Sequence, residues 1–127
     1  MTKAAPRHHI LVVEDDRDIR ETVVDILEDH GFEVTAAGDG QQALNFLDAG
    51  TMPDAILLDL MMPNMNGFQF REEQLKNATW ARIPVAVLTA DVEAKEKAQS
   101  VKADAFVKKP LKIQPLLDVI EQLLRRP

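Results

Sequence analysis

Short apolar runs alternate with amphipathic stretches along the whole chain. The runs are His9–Val13 (HILVV), residues 32–37 (FEVTAA), 55–58 (AILL), 84–88 (PVAVL) and 105–107 (AFV). Each is followed by residues of helical period. Ile19, Val23, Ile26 and Leu27 fall at i, i+4, i+7 and i+8, one face of a first helix. Gly31 suits its left-handed stop. Ala43, Leu44 and Leu47 make a second stripe, closed by Gly50. Residues 67–80 (GFQFREEQLKNATW) predict a third helix on which Phe68 and Leu75 share a face, with polar side chains between them. Ala94, Ala98 and Val101 form a small-residue stripe on a fourth helix, with Glu93 and Lys97 paired at i, i+4 on its outside. Ile113, Leu116, Leu117, Ile120, Leu123 and Leu124 mark a fifth, where Pro115 is tolerated in the first turn.

Strand followed by helix, five times over, predicts an α/β domain with a parallel sheet covered on both faces. The first, third and fourth runs are almost continuously apolar, as strands buried on both faces are. FEVTAA mixes polar and apolar residues and suits an edge. The order 2-1-3-4-5 puts it there and keeps every crossover right-handed.

Composition narrows the function. At 127 residues the sequence is expected to form one domain over 1–127, with a tail at 1–7 and a core over about 8–125. It has no cysteine, so thiolate metal sites, disulfides and cysteine nucleophiles are excluded. No apolar run approaches the roughly 20 residues of a membrane span, and MTKAAPRHH lacks a signal-peptide core, so a cytoplasmic location is expected. A net charge of −6 argues against direct nucleic-acid binding. The charge is uneven: most acids precede residue 92, whereas the last 36 residues carry more bases than acids.

The polar residues collect after the runs. Glu14-Asp15-Asp16 follows the first, Asp59 the third, Thr89-Ala90-Asp91 the fourth and Lys108-Lys109-Pro110 the fifth. In an open parallel sheet these carboxyl-end loops form the crevice where strand order reverses. Carboxylates brought so close cannot all stay ionised unaided. An oxygen-only donor set suits a hard cation such as Mg²⁺. Carboxylates, a cation, an ammonium at Lys109 and a hydroxyl at Thr89 can together hold a transferring phosphoryl group, with one carboxylate as nucleophile.

The motifs LVVEDD, DLMMPNMNG, VLTA and KKP, in that order, resemble those of response regulator receiver domains of two-component systems, including the single-domain, chemotaxis-type members. The resemblance spans about residues 8–125 and implies a (βα)5 flavodoxin-like, doubly wound fold. It implies that Asp59 accepts a phosphoryl group from a histidine kinase or histidine phosphotransfer protein. It implies that Glu14, Asp15, Asp59 and the backbone carbonyl of Met61 hold Mg²⁺, while Asp16 stands outside that set. Thr89 and Lys109 would contact the phosphoryl group, Thr89 and Phe106 would form the switch, and the Lys109–Pro110 bond would be cis. The expected role is a phosphorylation switch that assists its own phosphotransfer and dephosphorylation, not an enzyme with an external substrate. A downstream partner is expected on the surface of the fourth helix, fifth strand and fifth helix.

Some features depart from the family or compete with it. Phe106 stands where many relatives carry Tyr. Met61 and Asp91, two residues past Asp59 and Thr89, suggest slow self-dephosphorylation. An aspartyl-phosphate phosphatase or mutase is an alternative, but it wants an acid where Met61 stands. A nucleotide-binding domain is another: Gly38-Asp39-Gly40-Gln41-Gln42-Ala43 matches G-x-G-x-x-A. That reading leaves Glu14, Asp15, Thr89 and Lys109 without a task, and the glycines are expected to serve a tight turn. His8 and His9 are read as the tail-to-strand boundary, and His30 as a helix-end residue. Met61, Met62 and Met65 are read as loop and core. Arg125-Arg126 is read as a solvated end. The last stripe runs nearly to the final residue, so no output domain is expected within this sequence.

Overall fold

The computed structural model describes residues 7–91 and 93–125. Its elements are β1 (His9–Val13), α1 (Arg17–Asp29), β2 (Glu33–Ala37), α2 (Gly40–Asp48), β3 (Ala55–Asp59), α3 (Gly67–Lys76), a 3-10 turn (Trp80–Arg82), β4 (Val85–Thr89), α4 (Ala94–Ser100), β5 (Ala105–Lys108) and α5 (Ile113–Leu124). The five strands are parallel, in the order β2-β1-β3-β4-β5. The alternation predicts a parallel sheet, and the observed order is the flavodoxin-like arrangement that the resemblance implies. Residues 1–6 of the expected tail, and Arg126, lie outside the described residues. Among the described residues no helix is long and apolar enough to cross a membrane.

Alternate residues of each central strand face opposite layers, because strand side chains repeat every two residues. Leu11, Val13, Ile56, Leu58, Val85 and Val87 pack beneath α2, α3 and α4. Ile10, Val12, Ala55, Leu57, Ala86 and Leu88 pack beneath α1 and α5. β3 is buried along its whole length, whereas β2 is largely half-exposed, as an edge strand is. Burial of the Val, Leu and Ile side chains among these, about 1.5–3 kcal/mol each relative to exposure, is the main force holding the helices on the sheet.

The helix ends follow local chemistry. Asp16, Asp39 and Asn66 cap α1, α2 and α3, each accepting from a backbone N–H in the first turn. Gly31 and Gly50 take left-handed φ values of 88° and 102° after α1 and α2. His30 Nδ1 lies 2.8 Å from the Ile26 carbonyl at the end of α1. His9 belongs to β1, and its ring meets the Thr35 hydroxyl at 2.7 Å.

Several expectations need correction. The third helix stops at Lys76, because the Asn77 side chain accepts from Thr79 N and Trp80 N and folds the following residues into a turn. Its inward face is Gly67, Phe70, Arg71 and Gln74, while Leu75 is exposed. The Asn66 cap sets where the helix begins, and these residues then fall at i, i+3, i+4 and i+7. Two of the four are polar, so a search for apolar periodicity passes over the buried face. Ile113 opens α5 but is exposed; burial begins at Leu116. Glu93 is the N-cap of α4 rather than part of its first turn, and no ion pair joins it to Lys97 among the described residues. Gly38 and Gly40 have no left-handed φ, so the short link from β2 to α2 does not draw on that freedom of glycine. Gly40 instead lets the 60–66 loop approach: a Cβ there would meet the Met65 carbonyl oxygen at 2.8 Å.

A second close approach bears on the site. A Cβ on Gly67 would collide with the Asp59 carbonyl oxygen and with Leu60 Cα. Gly67 N also donates to the Leu60 carbonyl at 3.0 Å. The start of α3 is therefore seated directly on the end of β3, which fixes the backbone that carries Asp59.

Candidate functional site

The parallel register lines up the strand ends. Val13 pairs with Leu58, Asp59 with Leu88, and Thr89 with Lys108. Glu14 continues β1, its N–H donating to the Ala37 carbonyl at 3.0 Å. Lys109 continues β5, its N–H donating to the Thr89 carbonyl at 2.8 Å. Glu14, Asp59, Thr89 and Lys109 therefore meet at one rim, where they line a cleft of about 660 Å³ together with Asp15 and Asp91.

Glu14, Asp15 and Asp59 each offer a carboxylate oxygen within 4.8 Å of the others. Glu14 is fully buried and Asp59 nearly so, whereas Asp15 is exposed. Lys109 Nζ lies 2.6 Å from Glu14 Oε1 and 3.7 Å from Asp59 Oδ2. The ammonium approaches Glu14 Oε1 off the hydrogen-bonding direction, so this buried oxygen has an ion-pair partner but no well-directed hydrogen bond. Asp59 Oδ1 accepts from Met61 N at 3.2 Å. The Met61 side chain points to solvent, 76% exposed.

Burial pushes the Asp59 carboxyl up to about 8, with the neighbouring Glu14 carboxylate adding to the rise and Lys109 opposing it. Burial alone would lower the Lys109 ammonium, but Glu14, Asp59 and Asp15 outweigh it and hold it above its ordinary value. Three crowded carboxylates facing one cation are short of positive charge. Oxygen donors, an underbonded Glu14 oxygen and an exposed Asp15 fit a hard divalent cation such as Mg²⁺.

Thr89 is half-buried at the end of β4, and its hydroxyl oxygen accepts from Asp91 N at 3.0 Å. Phe106, on β5, is half-buried against the layer beneath α2, α3 and α4. The Lys109–Pro110 bond is cis, as the resemblance implies. Asp16 is engaged as the α1 cap. Met62 and Met65 pack against the core. Gly38 and Gly40 lie beside β2, at the edge of the sheet, whereas a dinucleotide site wants a central strand.

Sequence reasoning missed the residues that brace this rim. Arg20 donates to the carbonyls of Glu14 and Asp15, at 2.8 and 3.3 Å. Asp39 caps α2 and accepts from Asn64 Nδ2 at 3.0 Å, which ties α2 to the loop after Asp59. The Asn64 hydrogen bond, with the Gln42 amide, holds the Asp39 carboxyl below its usual range against the effect of burial. The D-x-x-Q and N-x-x-Q spacings at Asp39–Gln42 and Asn66–Gln69 are capping signals that the sequence does carry. Nothing local points to Arg20 or Asn64, whose partners are set by the fold.

Because Asp59 binds its proton more tightly folded than unfolded, the native state holds more protons between about pH 4 and 8. Stability contributed by this group therefore falls as pH rises through that window. In chelator, Asp59→Asn should raise stability at pH 8.5, on the order of 1–3 kcal/mol, and have a much smaller effect at pH 5. Urea unfolding at the two pH values reads this; an equal effect at both would contradict the assignment.

The chain matches the response regulator receiver domain model over residues 10–121. It is 38% identical over 119 residues to the phosphate regulon transcriptional regulatory protein PhoB of Escherichia coli, covering 92% of this chain and 52% of that protein. It is 39% identical over 119 residues to the response regulator MprA of Mycolicibacterium vanbaalenii, covering 92% of this chain and 50% of that protein. The chain thus spans about half the length of these curated relatives. Among solved structures, chemotaxis protein CheY4 of Vibrio cholerae superposes with a TM-score of 0.85 at 30% identity, over 94% of this chain and all of that one. The matched model, these relatives and the shared fold establish that the chain belongs to the response regulator receiver domains of two-component systems.

Proposed function

We propose that Asp59 is the phosphoacceptor of a two-component or phosphorelay pathway. The observation that carries this reading is the meeting of Glu14, Asp15 and Asp59 with Lys109 at the ends of β1, β3 and β5. In the reaction, an Asp59 carboxylate oxygen attacks the phosphorus of a phosphohistidine on a histidine kinase or histidine phosphotransfer protein. The P–O bond to Asp59 forms as the P–N bond breaks, and the departing imidazole nitrogen keeps the electron pair and takes a proton from solvent. Glu14, Asp15, Asp59 and the Met61 carbonyl would hold Mg²⁺. Bound there, the cation would favour the ionised form of the carboxylates and offset charge on the phosphoryl oxygens. Lys109 sits where it can pair with a phosphoryl oxygen. Thr89 can turn its hydroxyl from the Asp91 amide to donate to another.

Phosphorylation adds nearly two negative charges to Asp59. That charge draws in Thr89 and Lys109, and Phe106 repacks as Thr89 moves. The result is a population shift between two arrangements of α4, β5 and α5. Receiver domains are signalling switches, and this chain would act as one that assists its own phosphotransfer and dephosphorylation. The phosphatase or mutase alternative lacks an acid at Met61, whose exposed thioether cannot protonate a leaving group. Met61 also cannot orient an attacking water, which favours a slow loss of the phosphoryl group. We place the protein in the cytoplasm and assign it no direct contact with nucleic acid or membrane. Lys95, Lys97 and Lys112 stand on α4 and just before α5, so the downstream partner on that face would be acidic.

Incubated with Mg²⁺ and acetyl phosphate, the protein should gain one phosphoryl group by intact mass, and Asp59→Ala should gain none. Equal uptake by Asp59→Ala would overturn the assignment, and a phospho-form half-life of seconds would contradict the Met61 reading. Combined Lys95→Glu, Lys97→Glu and Lys112→Glu should weaken binding to an output partner roughly tenfold at low salt. Unchanged affinity would remove the acidic-partner reading.

A further inference from the structure

α4 is held very differently at its two ends. Its C-terminal end closes in a turn where Ala103 N donates to Ala98 O at 2.9 Å and Lys102 N donates to Gln99 O at 3.1 Å. That turn needs a left-handed residue, and the position is filled by Lys102, with φ of 56°. A non-glycine residue is uncommon there and needs support from its surroundings. The support comes from α3. Arg71 donates through Nε to the Val101 carbonyl at 2.9 Å and through a terminal nitrogen to the Lys102 carbonyl at 2.7 Å. Its other terminal nitrogen donates to Gln74 Oε1 at 2.8 Å. Gln74 Nε2 in turn donates to the carbonyls of Trp80 and Ile83, at 2.9 and 3.2 Å. Arg71 and Gln74 are both buried. A fixed guanidinium fork therefore joins α3, the loop before β4 and the end of α4, and it satisfies carbonyls that a helix end leaves without partners.

Among the described residues, the N-terminal end shows no such brace. Glu93, the N-cap, makes no side-chain capping bond. The backbone there is held by a relay that begins at Thr89. Asp91 N donates to Thr89 Oγ1 at 3.0 Å, and Glu93 N donates to Asp91 Oδ1 at 2.7 Å. If the Thr89 hydroxyl turns toward a phosphorylated Asp59, the first bond of this relay is lost. The hold on Asp91 and, through it, on Glu93 is then loosened, while the other end, about 10 Å away along the helix, stays clamped.

We propose that Arg71 is a positioning residue for the switch: it anchors the C-terminal end of α4, so that displacement of this helix is a swing of its Thr89 end about a fixed pivot. The pivoting half of this inference rests on Asp59 being the phosphoacceptor; the clamp does not.

Amide hydrogen exchange by NMR tests both halves. The probes are Lys97 N, which donates to Glu93 O at the Thr89 end, and Lys102 N and Ala103 N at the clamped end. Leu57, in the centre of β3, reports global opening. In the unmodified protein, Arg71→Met and, separately, Gln74→Leu should speed exchange at Lys102 and Ala103 by about tenfold more than at Leu57. A merely structural loss would move all of these amides together. In the wild type, with phosphoryl uptake verified by mass, phosphorylation should speed exchange at Lys97 by about tenfold and leave Lys102 and Ala103 within about twofold. Parallel changes at both ends would overturn the pivot. Exchange at Lys102 and Ala103 that tracks Leu57 in the variants would overturn the clamp. If neither variant folds, the wild-type comparison decides. If mass shows no uptake at Asp59, the phosphoacceptor reading and the pivot fall, and the unmodified arm decides the clamp.

Discussion

The structure depends on one charged contact, the buried pairing of Glu14 with Lys109. It joins the end of β1 to the end of β5 across the mouth of the cleft, and Asp59 stands beside it. Each of the two ions would be costly to bury alone, and their mutual attraction offsets that cost only with close geometry. Glu14 is excluded from solvent, so its charge has no alternative partner in water. The pair thus fixes where the rim closes. It also leaves the site acidic in sum, because one ammonium faces three carboxylates. Burial raises the Asp59 carboxyl and that imbalance adds to the rise, and the same imbalance is why a hard divalent cation fits the site.

The arrangement resolves a conflict between stability and function. A phosphoryl group needs concentrated positive charge, whereas a cation needs concentrated negative charge, and this rim supplies both. The surrounding structure holds it in place. Gly67 lets α3 sit against the Asp59 carbonyl, Arg20 holds the carbonyls of Glu14 and Asp15, and Asp39 with Asn64 fixes the loop after β3. These contacts engage backbone carbonyls and the Asp39 carboxylate rather than the side-chain oxygens of Glu14, Asp15 or Asp59, so they set positions without neutralising the charges of the site.

Much of this was legible in the sequence. The continuous apolar runs at β1, β3 and β4 and the mixed run at β2 pointed to the edge, because burial on two faces and on one face leave different patterns, and the strand order followed only with right-handed crossovers added. Asp59, Thr89 and Lys109 could be placed at one rim because parallel strands end together. The buried face of α3 was not legible. Arg71 and Gln74 lie where an apolar stripe would be expected, and their partners, at Val101, Lys102, Trp80 and Ile83, are supplied by distant backbone. A carbonyl has no side-chain signature, so a polar residue buried to serve one looks like a surface residue in the sequence. The Glu14–Lys109 contact was hidden for a related reason. Their positions after the first and fifth strands placed both groups at the rim but could not say which carboxylate the ammonium would take.

The measurement that bears most directly on this account is a double-mutant cycle between Glu14 and Lys109, read by urea unfolding at pH 7 in chelator. Lys109→Met alone should cost about 3–5 kcal/mol, since it strands a buried carboxylate. Glu14→Gln should destabilise the wild type yet be neutral or stabilising in the Lys109→Met background. If Glu14→Gln costs the same in both backgrounds to within about 0.5 kcal/mol, the two residues are not coupled and the pairing does not close the rim.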